Sequence, residues 1–311
     1  MRRIVSCLLA ALLLIAPLSG CAAAPTGETD RPKIVTTIFP LYDWTKNLLG
    51  SRADETELVM LLDDGVDMHS FQPSVADMVT VSSCDLLIYV GGESDEWIED
   101  AIAERANPDM IVLNLMEVLG ERGLREELVE GMEGEAEDEP DEHIWLSLRN
   151  AELLCGSIRD ALTELDGGHR SEYETACEAY CAELRALDAA YRETVEAAAQ
   201  HTLIFADRFP FRYLTEDYGL DYYAAFAGCS AETEASFATV IFLAGKLDEL
   251  GLKQLCVIET SDGKLARTVI ENTKSGEIGV QTLHSMQGAV GEEDYLSLME
   301  RNLEAIKEAL K

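Results

Sequence analysis

Histidine is scarce in this chain, at 5 of 311 residues. Positive charge is scarce too: 24 Lys and Arg stand against 59 Asp and Glu, for a formal net charge of −35. Such a surface repels the nucleic-acid backbone and anionic lipid, so no nucleic-acid partner is expected; it draws cations. The eight cysteines include no CxxC pair, which excludes the usual thiolate zinc cluster. No HExxH is present, so the helical zinc-hydrolase motif is missing. Beyond the first twenty residues, no run approaches the ~20 apolar residues that a transmembrane helix needs. Hydrophobic residues still make up 47% of the chain, so the acidity decorates a globular protein rather than a disordered one.

The amino terminus is the exception to that polarity. "MRR" is a short basic start, "IVSCLLAALLLIAPL" is apolar, and "LSGC" sets small residues before Cys21. This is the layout of a secretory signal over residues 1–20. Leu-Ser-Gly-Cys resembles the bacterial lipobox, which implies cleavage before Cys21 and a lipid on its sulfur. Residues 21–32 then read as a flexible tether. The expected mature protein is exported and held by lipid at the outer face of the cell membrane. Losing Arg2 and Arg3 leaves 22 basic against 59 acidic side chains, a net of −37. Of the six cysteines beyond Cys21, several read as buried free thiols; outside the cell disulfides are open to the others, and no pairing follows from sequence.

Eight short apolar runs follow: 33–38, 55–61, 85–90 and 110–115, then 202–207, 220–226, 253–259 and 278–283. Runs that are apolar throughout suit parallel strands covered on both faces by helices. Between the two sets lies "RSEYETACEAYCAELRALDAAYRETVEAAAQ" (170–200), without Gly or Pro. Its apolar residues recur at three and four, and Ser171 with Glu174 predicts a capping-box start. The reading is one helix of about thirty residues, roughly 45 Å long. The expected fold is α/β: two parallel-sheet lobes, 33–168 and 201–311, joined by a long rigid backbone helix within 169–200. Residues 130–142, "EGMEGEAEDEPDE", read as a solvated acidic loop with a weak funnelling action on cations.

Three of the five histidines fall at comparable places. His69 follows a strand in "LLDDGVDMHSFQPS", with Ser74 a cap for the next helix; His284 follows the strand "IGVQTL" directly. Ligands bind at that edge of open α/β sheets. His143 sits between the acidic loop and a helix that Ser147 or Asn150 could cap. His169 and His201 lie at a turn and at a strand start, and read as surface residues. If the lobes face each other, His69, His143 and His284 converge in the cleft between them. Imidazoles are preferred zinc ligands, and three nitrogens with one oxygen suit zinc better than manganese, the second choice. The fourth donor is expected from Asp207 or, in competition, Glu259.

These stretches resemble the zinc- and manganese-binding proteins of bacterial ABC transporters. "GVDMHSFQPS" is similar to the family's G-x-x-x-H-x-[YF]-x-P-S, carrying His69. "DEHIWLSL" is similar to D-P-H-x-W-L-[DS], carrying His143. "FRYLTEDYGL" and "AFAGCSAETEAS" match two further family segments, and the likeness runs over about residues 33–310. It implies capture of a metal ion outside the cytoplasm and delivery to an ABC permease with its ATPase, by a monomer that is not an enzyme. Two departures stand out. "RFPFRY" puts Arg208 where the family has a histidine ligand, and arginine cannot bind a cation. His284 stands where the family commonly has an aspartate. The rival readings are a secreted zinc hydrolase, with Glu259 as general base, and a binding protein for an organic solute or haem.

Overall fold

The computed structural model describes residues 31–62, 65–134, 139–230, 234–287 and 293–311. The leader, Cys21, most of the tether and the Asp63–Asp64 part of an expected turn lie outside them. Each of the eight apolar runs coincides with a strand, two of which extend past the run's end. β1 (Lys33–Thr36), β2 (Glu57–Met60), β3 (Leu86–Tyr89) and β4 (Ile111–Asn114) form a sheet in the order β2-β1-β3-β4. β5 (Thr202–Phe209), β6 (Asp221–Ala227), β7 (Gln254–Ile258) and β8 (Gly279–Leu283) form the second, in the order β6-β5-β7-β8. All pairings are parallel. Parallel neighbours need crossover connections, and helices occupy most of them. In each sheet the strand order reverses beside the first strand, which opens a crevice at the strands' carboxyl ends. β5 carries one extra residue there: Phe205 pairs with Ala224 but Arg208 with Phe226, three residues against two. Such bulges re-aim side chains at the ends of strands.

The linking helix spans Arg170–Ala197, 28 residues or about 42 Å. The capping box expected at Ser171 and Glu174 does not form. Asp166 accepts from His169 Nδ1 at 2.7 Å, winding the Gly167–His169 turn directly into the helix, so Ser171 already lies in its first turn. A true capping box holds the Val75–Ser82 helix, between Ser74 and Asp77. The buried stripe of the linking helix is Tyr173, Cys177, Tyr180, Cys181, Leu184, Leu187, Tyr191 and Val195, spaced at three and four. It packs on the Phe39–Leu49, Leu148–Leu165 and Tyr295–Ala309 helices. Polar groups along the stripe are satisfied: Tyr180 donates to Asp43, and Tyr191 donates to the Met299 carbonyl at 2.7 Å. A continuous apolar core therefore runs from the first lobe through the helix into the second. The six cysteines among the described residues are free, and all but Cys229 are buried.

The acidic segment does not behave as a free solvated loop. At its base, Glu126 N–H donates to the Glu139 carbonyl at 3.0 Å and Asp141 N–H to that of Leu124 at 2.9 Å. Further out, Glu133 bridges to Phe226 of β6 and donates its N–H to Ala225 at 2.8 Å. Its carboxylate accepts from the Ser236 N–H at 2.6 Å, at the start of the Phe237–Leu250 helix. The segment is a strap that leaves the first lobe, joins the second lobe's sheet edge and returns to His143; residues 135–138 lie outside the described residues. No helix among the described residues is long and apolar enough to cross a membrane.

Candidate metal centre

Both histidines of the first lobe are presented by the same local device. His69 lies in a helical turn, Met68–Ser70, and its N–H donates to Asp67 Oδ1 at 3.0 Å. His143 opens the turn Ile144–Leu146, and its N–H donates to Asp141 Oδ1 at 2.9 Å. An aspartate two residues ahead bonds the backbone and fixes the direction in which the ring leaves it. Trp145 anchors the second turn. It is fully buried, its Nε1 donates to the Ser285 carbonyl at 2.7 Å, and its own carbonyl accepts from Tyr295 Oη at 2.6 Å.

The two rings meet edge to edge, with His69 Nε2 3.2 Å from His143 Nε2. Two facing lone pairs at that distance repel unless a proton or a cation lies between them. Two zinc–nitrogen bonds of about 2.0–2.1 Å at the tetrahedral angle span about 3.3 Å. The outer nitrogens are held. His143 Nδ1 is 2.9 Å from Asp141 Oδ1, and His69 Nδ1 is 2.9 Å from Ser94 Oγ. A carboxylate on Nδ1 fixes the tautomer that leaves Nε2 for the metal. Glu142, which accepts from the Ser94 N–H at 2.8 Å, keeps one buried oxygen without a hydrogen bond, 3.7 Å from His69 Nδ1. Burial, then the nearby His143 and Arg208 charges, lower His69 to about 3, although Asp67 opposes them. Burial also disfavours a charged His143, but Asp141 and Glu142 override it and His143 is raised above its ordinary value. His69 is thus held as the neutral imidazole over the physiological range, while its neighbours favour the second proton on His143.

The second lobe closes on this pair from three directions. Arg208, placed at the β5 bulge, ion-pairs with Asp67 at 2.5 Å. Gln287 spans both groups when its amide is assigned the orientation that satisfies both ends: its nitrogen then donates to the two Asp67 oxygens at 2.8 and 3.2 Å, and its oxygen accepts from His143 Nε2 at 3.1 Å. The preceding residue, Met286, holds φ at +57°, a left-handed conformation uncommon outside glycine. Finally, the donor atoms of His69, His143 and Cys229 lie within 4.8 Å of one another, the one such group of three among the described residues.

The other expected ligands are not brought into that group. The backbone of His284 is bound in both directions by Asn302, at 2.7 and 2.9 Å, and the charges that bear on its ring are Glu259, Arg301 and Glu293. Glu259 spends both oxygens on Ser285, at 2.8 Å each. Asp207 does face the cleft. It lines a cavity of about 760 Å³ with His69, Arg208 and Ser261, but its carboxylate is engaged by the Arg208 N–H at 2.9 Å and by Ser261. Sequence reading passed over Asp67, Asp141, Gln287 and Cys229. The first two had a visible signal, the repeated D-x-H of "DMH" and "DEH". The last two had none, because only the closed tertiary structure sets them beside the rings.

Comparison with known proteins agrees with this architecture. The family model described as zinc-uptake complex component A, periplasmic, matches residues 34–309. The high-affinity zinc uptake system protein ZnuA of Bacillus subtilis is 27% identical, over 97% of this chain and 95% of its own length. The zinc-binding lipoprotein AdcA of Streptococcus pneumoniae is 30% identical over 88% of this chain; the match spans about half of that longer relative, 55%. The solved Zn(II)-bound ZnuA-like domain of that species' AdcA superposes with a TM-score of 0.72 at 26% identity, covering 90% of this chain and 99% of the domain. With two parallel four-stranded lobes, a long linking helix and paired imidazoles in the cleft, the chain belongs to the zinc-uptake component A (ZnuA) family of ABC-transporter binding proteins.

Proposed function

We propose that this protein captures a divalent metal ion outside the cytoplasm, zinc first and manganese second, and delivers it to an ABC permease driven by its ATPase. The observation that carries the reading is the 3.2 Å gap between two ring nitrogens, close to the span a tetrahedral zinc sets between two imidazoles. The support of His143 by Asp141 is the carboxylate–histidine arrangement of metal sites. The net negative charge concentrates cations around the protein. Metal and proton compete for His143 Nε2, so capture releases protons and release of the metal takes them back. In the mature form Cys21 carries the lipid and residues 21–32 the tether, so that a monomer works beside its permease. His143→Ala is expected to weaken zinc binding at least ~10-fold. Titration calorimetry of the mature chain tests this, and an unchanged affinity would remove His143 from the site.

A further inference from the structure

The imidazole pair comes entirely from the first lobe, which leaves open what the second lobe gives the metal. Arg208, at the family's histidine position, has no lone pair to give and is bound to Asp67. Gln287 is neutral and already spans Asp67 and His143. His284, Glu259 and Asp207 are engaged elsewhere. Cys229 is different. It lies two residues past the end of β6, it is partly exposed while the other described cysteines are buried, and its sulfur joins the two imidazoles within 4.8 Å. Its segment has no room to withdraw. A Cβ on Gly228 would lie 2.8 Å from His143 Cε1 and 3.0 Å from the Phe209 carbonyl oxygen, so the backbone rests against the ring. On the other side, Glu126 of the strap accepts the Cys229 N–H at 3.1 Å.

We propose that Cys229 is the metal donor of the second lobe, binding as thiolate opposite His69 and His143. The inference rests on the reading of those two histidines as ligands. On binding, the sulfur–metal bond forms as the S–H proton leaves for Glu126 and then for solvent. Zinc–sulfur bonds of about 2.3 Å require the thiol to move inward by at most about an ångström from its present place. A His₂Cys set favours thiophilic ions, zinc and cadmium, and disfavours manganese, which prefers oxygen. It also leaves a fourth position facing Gln287 and the cleft.

The test is titration of the mature chain with Co(II), followed by competition with Zn(II). A thiolate bound to Co(II) gives a near-ultraviolet charge-transfer band that imidazole does not. The band is expected in the wild type and in Cys177→Ala/Cys181→Ala. It is expected to vanish in Cys229→Ser, which still binds Zn(II) through the rings but ~10–100-fold more weakly. Circular dichroism and a melting curve establish that Cys229→Ser is folded. Tight Co(II) binding without the band, with Zn(II) affinity unchanged in Cys229→Ser, overturns the thiolate and leaves the imidazole reading standing. If the wild type binds neither ion, both readings fall; weakened Zn(II) binding in His69→Ala beside an affinity unchanged from wild type in Cys229→Ser also overturns the thiolate.

Discussion

At the scale of single residues, the two histidines are chemically unequal although they share a task. His69 is lowered to about 3, while His143 is raised above its ordinary value. Protons therefore compete with metal at His143 before they do so at His69 as pH falls. In Cys229→Ser, the logarithm of zinc affinity should fall by about one per pH unit as pH drops below the raised His143 value, with a second unit of slope only as pH nears the His69 value of about 3. Competition titrations against a chelator of known pH dependence measure that slope; a slope of two across the range would mean that both rings titrate together. That His69 and His143 would come together was legible because their motifs are local: a D-x-H turn needs only its own neighbours. His284 was misplaced for a physical reason. Its position at a strand's carboxyl end is a matter of topology, but the direction of its ring is set by Asn302, eighteen residues on. Cys229 was invisible because its distance to the histidines is made by the closure of one lobe on the other.

At the scale of elements, hydrophobic period was enough wherever burial was continuous. All eight strands lie within or against the apolar runs, and the stripe of the linking helix follows from its spacing. The helix start was mislocated because capping depends on which turn precedes it, and Asp166 organises that turn through His169 and Arg52. The strap was misread because acidic composition describes its side chains and not its backbone, whose N–H at Glu133 found a free sheet edge. If the linking helix is a frame and not part of the binding chemistry, stability and affinity separate there. Leu184 is fully buried on its stripe. Leu184→Ala should lower unfolding free energy by about 2–5 kcal/mol in urea titrations while zinc affinity stays within about twofold of wild type.

At the scale of the whole molecule, buried carboxyl groups make stability depend on pH. Asp95 is raised to about 7, chiefly by burial and further by Glu142, although the Val90 and Gly91 N–H groups hold it down. A group raised in the folded state contributes fully below its unfolded value, near ~4, and that contribution is lost as pH rises through about 7. Between pH 5 and 8 the wild type should therefore lose about 2–3 kcal/mol relative to Asp95→Asn, whose amide stays neutral. Parallel urea melts at the two pH values read this directly, and equal losses in both proteins would show that Asp95 ionises as freely as in the unfolded chain. The strap adds something the lobes alone do not imply. The polypeptide passes between the halves three times, out to Glu133, back to His143, and once more through the linking helix. Jaws hinged on one stalk can swing wide; jaws sewn together on two sides cannot. Cargo must come and go through the short travel of a few side chains, and a docked permease has only to lift Arg208 and Gln287 off Asp67 to let it out.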